Sequence, residues 1–295
     1  ASRDLAAADP RGWRLGGAVS YAGLALARLG LRPRVLVGGD TDVAGATELD
    51  LLRAAGAEVV VAPLVRSPIF DNREIGGVRR QLCVEPGDPL EPDRLPLSWR
   101  GAAAWLLGPV ADELPGSWAD VPATATFVAL GWQGLLRELA KGADVEMRAP
   151  SPNRLVARAA LVCVSRLDLA PATSEGELLP LLDGRATLVV TDGAAGGTSW
   201  ERGPAGAVLE RRYTAIPART VVDSTGAGDA FLAGLVAARL GHPPGSRGRP
   251  DPGPLGTDLR LGAALGSLAV EGPGLLGIPS LVAVEERLRA SLSPR

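Results

Sequence analysis

The chain has 295 residues, 46% of them hydrophobic and 22% charged, with a formal net charge of -2, the make-up of a folded globular protein with a sizeable core. That balance gives no basic field for wrapping nucleic acid, and the arginines are spread without forming a block, so no nucleic-acid partner is expected. No apolar run approaches the roughly 20 residues of a membrane-spanning helix, so no membrane partner is expected either, and a cytoplasmic address follows by default.

In chain order, Ala1 to Leu5 stands where a first core strand is expected already to have ended, so the pattern predicts residues ahead of Ala1. Residues 4–15 can form a short ribbon. A helix is predicted over 19–29, a strand over 34–38, a helix over 47–55 and a strand over 58–62. Residues 67–84 carry a Gly76-Gly77 turn between two extended, partly polar arms, a hairpin signature. Further strands are predicted over 103–107, 126–130, 161–164 and 187–191, with helices over 134–140 and 153–160 between them. This alternation argues a mostly parallel sheet covered on both faces, with ligands bound beyond the C-terminal ends of its strands. Around 241–256, Pro243, Pro244, Pro250, Pro252 and Pro254 predict a loop.

Several chemistries are excluded by scarcity. Cys83 and Cys163 form no Cys-x-x-Cys pair and read as reduced, structural residues. His242 is the only histidine, which rules out a histidine triad or a multi-histidine metal site. The single lysine, Lys141, follows no glycine-rich loop, so a Walker-type phosphate loop is absent. Gly272-Pro273-Gly274-Leu275-Leu276-Gly277 fits a dinucleotide fingerprint in letters only, because Pro273 interrupts it and too little chain follows for a βαβ unit.

One stretch names a chemistry. Val222-Asp223-Ser224-Thr225-Gly226-Ala227-Gly228-Asp229 runs into the apolar helix start Ala230-Phe231-Leu232-Ala233-Gly234-Leu235. Backbone N–H groups at such a turn can converge on one anion with Asp229 beside them, so a hydroxyl placed between would lose its proton to the carboxylate as a phosphoryl group arrives. A plain strand-to-helix turn, with the carboxylate serving the helix dipole, is the competing reading.

Asp-Ser-Thr-Gly-Ala-Gly-Asp resembles the C-terminal signature of the ribokinase-like (PfkB) carbohydrate kinases, Asp, Thr or Ser, any residue, Gly-Ala-Gly-Asp, at every fixed position. The resemblance implies one kinase domain over 1–295 with a three-layer α/β/α fold, a mostly parallel central sheet and a small β lid from about 4–15 and 65–84. It implies ATP and Mg²⁺ as cofactors, and in some relatives a monovalent cation such as K⁺. Asp229 would be the catalytic base, and the amides of Gly226, Ala227 and Gly228 the anion hole. Gly16-Gly17-Ala18-Val19-Ser20-Tyr21 resembles the first signature, which places Gly16, Gly17 and Tyr21 at the acceptor, although many members carry asparagine where Tyr21 stands. Asp4 falls where the family has an aspartate that binds sugar hydroxyls; a solvated terminal residue is the alternative. Gln133 and Arg137 would face substrate or phosphates, or Arg137 would lie on a solvated helix face.

Thr191, Gly193 and Gly196 resemble the family's Thr-x-Gly-x-x-Gly nucleotide loop, and Ser267 and Gly272 would lie on the adenine side. Ser165 and Asp168 occupy the place of its Asn-x-x-Glu motif, altered to Ser-x-x-Asp, with Asp168 reaching Mg²⁺ through water. Asp223 and Thr225 would hold the monovalent cation. The acceptor would be a sugar, polyol or nucleoside, with the inositol-kinase-like branch favoured. A non-catalytic nucleotide- or sugar-binding regulator, or a kinase of a hydroxymethyl-pyrimidine-type vitamin precursor, are the rivals, the latter disfavoured by the lid hairpin. Lid strands would either cap one subunit or pair two in a homodimer.

Overall fold

The computed structural model describes residues 1–75, 78–202, 207–242 and 256–291. The chain opens with β1 (Ser2–Leu5), β2 (Trp13–Gly16), α1 (Ala18–Arg28), β3 (Arg34–Gly39), α2 (Thr41–Ala44), α3 (Glu48–Ala54) and β4 (Glu58–Pro63). Then come β5 (Ile69–Ile75), β6 (Val78–Glu85), β7 (Ala104–Leu107), β8 (Phe127–Gly131) and the short strands β9 (Arg137–Glu138), β10 (Ala143–Asp144) and β11 (Glu146–Met147). The C-terminal half adds α4 (Arg154–Arg158), β12 (Leu161–Ser165), α5 (Glu175–Leu178), β13 (Thr187–Thr191), β14 (Gly197–Arg202) and β15 (Val208–Tyr213). Three helices finish the fold: α6 (Ala227–Arg239), α7 (Gly256–Ala269) and α8 (Leu281–Ala290).

The main sheet has the order β15-β14-β13-β12-β8-β7. Its strands β7, β8, β12 and β13 are parallel, and β14 and β15 continue it antiparallel. Side chains of a strand alternate between faces, and the core divides accordingly. Val128, Leu130, Val162, Val164, Leu188 and Val190 pack on one face with Leu155 of α4, Leu178 of α5 and the tryptophans Trp99, Trp118, Trp132 and Trp200. Ala129, Leu161, Cys163 and Val189, one position out of phase, pack on the other face against Phe231, Leu232 and Leu235 of α6 and Leu259 of α7. Alanines of α1, α6 and α7 then bring those helices together in a further cluster. The expected layers, parallel sheet and most strand positions are thus present.

Two features depart from the expectation. The helix read over 134–140 is a single 3₁₀ turn, Gln133–Leu136, followed by β9, because Arg137 is drawn inward to a buried ion pair instead of continuing a solvated helix face. The parallel pair β3-β4 forms a separate two-stranded sheet. A cleft of about 650 Å³, lined by Val35 and Leu36 of β3, Trp105 and Leu106 of β7, Leu26 and Val236, lies between β3 and β7, and the Ala1 amino group donates to Gly38 O across its end at 3.2 Å.

A five-stranded sheet of order β10-β6-β5-β1-β2 covers one end of the molecule. The 4–15 ribbon and the 67–84 hairpin therefore join in one sheet, with β5 antiparallel to β6 and parallel to β1. The Gly76-Gly77 turn lies outside the described residues, as do Pro243 to Pro254. No helix among the described residues is long and apolar enough to cross a membrane.

Candidate active site

The parallel strands β8, β12 and β13 end at one rim, and each delivers a loop there. Gln133 follows β8, Asp168 closes the 3₁₀ turn after β12, and the Thr191 to Gly196 loop follows β13. Ser165 and Thr191 are register partners on β12 and β13, which sets both hydroxyls side by side. Ser165 Oγ accepts the Leu167 N–H at 3.2 Å and so shapes the turn that carries Asp168.

The start of α6 faces this rim. Gly226 caps the helix with φ 79° in the left-handed region, and a β-carbon there would overlap the Tyr21 ring, so only glycine fits. The N–H groups of a first helical turn lack intrahelical acceptors, and at Ala227, Gly228 and Asp229 they carry the positive end of the helix dipole. The space above Gly228 is open: a side chain added there would meet nothing within 4 Å.

Asp229, partly buried in that first turn, is pushed up to about 7 by burial and then by the negative charge of Asp168, with Arg137 opposing and Asp4 adding to the rise. Those four residues therefore share one electrostatic site, although they come from β1, β9, the turn after β12 and α6. Asp168 is 7% exposed and Arg137 5%, burial tolerable for charged groups only when paired. Asp168 Oδ1 accepts from Gln133 Nε2 at 2.8 Å and lies 3.9 Å from Arg137 Nη2. Arg137 in turn donates to Val110 O at 2.9 Å and lies 5.6 Å from the Phe70 ring of the lid. Beneath them Cys163 is fully enclosed, its thiol pushed up to about 12 by burial and by Asp229 and Asp168, which makes it inert.

The first signature sits on the same side. Gly16 and Gly17 end β2 and cap α1. A β-carbon at Gly16 would run into the Asp4 carboxylate and Ser2 Oγ, so glycine is needed there for β1 to lie against the turn. Asp4 Oδ1 accepts from Ser2 Oγ at 3.0 Å. Burial, and then the carboxylates of Asp4, Asp223 and Asp229, raise the Tyr21 phenol above its ordinary range, which places its ring among those three.

The remaining predicted residues separate into two groups. Thr191 Oγ1 donates to Val164 O at 3.5 Å, and the loop closes through Asp192 N–H to Gly196 O at 2.7 Å with Gly193 outward. A cavity of about 420 Å³ lined by Tyr213, Ile216 and Leu259 and by Arg211, Arg212 and Arg260 adjoins this loop, since Tyr213 is the register partner of Gly197. Ser267 and Gly272, by contrast, serve the C-terminal packing. Ser267 Oγ is buried and accepts from Arg287 Nη1 at 2.5 Å, while Gly272 closes against Gly277.

Asp223 is also differently employed from its expected role. Its Oδ1 accepts the Thr225 N–H at 2.9 Å, and its Oδ2 accepts the Gly274 N–H at 3.0 Å and pairs with Arg14 Nη2 at 3.1 Å. Burial pushes this carboxyl up, but the Thr225 and Gly274 hydrogen bonds and the Arg14 charge outweigh it and hold the group below the ordinary range. Each Asp223 oxygen thus already accepts an N–H, and a cation brought there would meet the Arg14 charge. Among the described residues no group of three or more His, Cys, Asp or Glu side chains could hold a metal by itself. Arg14, Phe70 and the Val110 carbonyl escaped the sequence reading, since each reaches the site through lid or loop contacts between distant segments.

Fold and site together define an α/β protein with the ribokinase-like fold, a parallel sheet with a β lid and a carboxylate at the start of a helix. Residues 141–280 match the family model of the pfkB family carbohydrate kinases, which bears out the resemblance carried by Asp223 to Asp229. The chain is 48% identical over 88 residues to acarbose 7(IV)-phosphotransferase of an Actinoplanes species, a match spanning 29% of this chain and 25% of that protein. Among solved structures, a pyrophosphate-dependent kinase in the ribokinase family, complexed with a pyrophosphate analog and myo-inositol, aligns with TM-score 0.70 at 18% identity over 98% of this chain and 97% of that one. Arabidopsis thaliana ribokinase complexed with ribose and ATP aligns with TM-score 0.66 at 20% identity over 94% and 88%.

Proposed function

We propose that this protein transfers a phosphoryl group to an alcohol group of a sugar, a polyol of the inositol type or a nucleoside, with Asp229 as general base. The observation that carries the reading is a carboxyl raised to about 7 beside the amides that open α6. A base works best with a pKa near the operating pH, and a helix N-terminus next to it offers donors to the charge that develops on the phosphoryl oxygens. Gln133 and Arg137 orient Asp168, and Asp4 on the lid offers two acceptor oxygens to neighbouring hydroxyls. The lid sheet excludes water, which protects the donor from hydrolysis.

Mg²⁺ suits the site, because Asp4, Asp168 and Asp229 outnumber Arg137, and the first two raise the proton affinity of Asp229. Asp168 would hold it, directly or through water, and the ion would offset charge on the donor's phosphates. The donor is read as ATP: the Thr191 to Gly196 loop suits phosphates, and the adjoining cavity with Tyr213 and Ile216 suits a base. The pyrophosphate-dependent relatives supply the alternative donor to be tested.

The test is phosphoryl transfer from ATP and from pyrophosphate to a panel of sugars, inositols and nucleosides by wild type and Asp229→Asn. The variant should bind both substrates and lose about 10²- to 10⁴-fold in kcat. Near-normal turnover in the variant would remove Asp229 from the role of base, and no transfer by wild type to any acceptor would remove the kinase reading.

A further inference from the structure

Arg14 belongs to the lid, yet its charge is spent outside it. On β2 it is the register partner of Asp4 on β1, and directly paired residues of antiparallel strands project from the same face. That face carries Ser2, Asp4, Arg14 and Gly16, the side of the ribbon turned to the acceptor site. From there the guanidinium crosses to Asp223, 3.1 Å away on the turn that leads into Gly226. It also borders Gly274, since the guanidinium, like the Tyr21 hydroxyl, lies within 4 Å of the place a Gly274 β-carbon would take. Asp223 in turn pins Thr225, one residue before the helix cap, and Gly274 of the C-terminal turn.

We propose that the Arg14 guanidinium occupies, as a built-in positive charge, the position expected of a monovalent cation at Asp223 and Thr225, and that it is a positioning residue for the amides at the start of α6. A carboxylate offers about four acceptor directions on two oxygens; here two N–H donors use them, one on each oxygen, and the Arg14 charge stands beside the second. A free cation brought to the same oxygens would have to displace the guanidinium or stand against its charge. The planar fork matters, since Nη2 faces Asp223 while Nη1 lies beside Gly274, a geometry that a lysine ammonium meets only as a point charge. Because the tether runs from a lid strand to the anion-hole turn, closing the lid over an acceptor and setting the amides become one event.

This inference rests on the kinase reading, and the experiment separates the two. Wild type is melted, and assayed, in KCl, NaCl and choline chloride at one ionic strength; the expected result is the same turnover and a melting temperature equal within about 1 °C in all three salts, since a ligand bound only by the folded state would raise it. Arg14→Gln should lower kcat about 10- to 100-fold while the acceptor KM stays within about threefold. Arg14→Lys should fall between, and added guanidinium should restore part of the loss in Arg14→Gln. A K⁺-specific rise in wild-type turnover or melting temperature overturns the inference, as does an Arg14→Gln enzyme with unchanged kcat. Should wild type transfer no phosphoryl group, the kinase reading fails alone, and the melting series still decides whether the position takes a cation.

Discussion

Under the proposed reading, Asp229 couples catalysis and stability through one proton. If it is the base, only its ionised form works, so kcat/KM should rise about tenfold per pH unit up to about 7 and then level off. The same shift acts on folding with the opposite sense. Its carboxyl in the unfolded chain titrates near 3.8 and in the folded protein near 7, so the folded state holds the proton more tightly. That contribution is fully present below the unfolded value and is lost as pH rises through the folded one, up to about 4 kcal/mol if the whole shift is expressed. Asp229→Asn, which cannot ionise, should therefore melt several degrees above wild type at pH 8, with the difference shrinking toward pH 5. Equal melting temperatures at both pH values would show that the carboxylate is solvated and in no position to act as a tuned base.

At the scale of the element, the start of α6 depends on the fit between Gly226 and the Tyr21 ring of α1. Gly226→Ala adds a left-handed backbone penalty and an overlap, together about 2 to 4 kcal/mol, and shifting the turn should cost roughly 10²-fold or more in turnover. Tyr21→Ala removes the ring, so the double variant should be more stable than the sum of the single losses by about 1 to 3 kcal/mol in urea unfolding, with turnover still low; strict additivity would deny the contact. This turn was legible in the sequence because its chemistry is local: Gly226, Ala227, Gly228 and Asp229 are consecutive, and their conformation follows from their order. Strands β8, β12 and β13 were legible for a similar reason, as short apolar runs buried on both faces. Residues 134–140 were not, since their helical pattern yielded to a long-range partner: Arg137 turns inward to Asp168 and the Val110 carbonyl. Ser267 misled in the same way, its hydroxyl being claimed by Arg287 from a helix 20 residues later. The join between β3 and β7 is likewise a matter of distant segments, which strand patterns leave open.

At the scale of the whole molecule, the lid sheet and the core are held together by unequal means. Among the described residues, a small apolar cluster of Ala18, Phe70, Cys83, Val110 and Ala111, flanked by Leu139 and Val145, links the β5–β6 hairpin to the core. The β1–β2 ribbon sets Leu15 into the apolar core and is otherwise tied across by charge: Arg3 to Asp40 at 3.0 Å and to Asp42, Arg11 to Glu48 at 2.6 Å, and Arg14 to Asp223 at 3.1 Å. Part-exposed pairs of this kind contribute about 0 to 1 kcal/mol each and are screened by salt, whereas burial in the sheet between α6 and α4 is insensitive to it. Raising KCl from about 0.05 to 1 M should therefore speed amide exchange in β1 and β2 by roughly 3- to 30-fold, the effect of losing 1 to 2 kcal/mol of docking, and leave β12 and β13 unchanged. A ribbon held partly by charge can open for the acceptor on each turnover, so the acceptor KM should rise over the same salt range, and kcat should fall with it as salt screens Arg14 from Asp223. Exchange in β1 that tracks β12 at every salt concentration would instead make lid and core a single cooperative unit, and acceptor entry would then need a path that does not involve the ribbon.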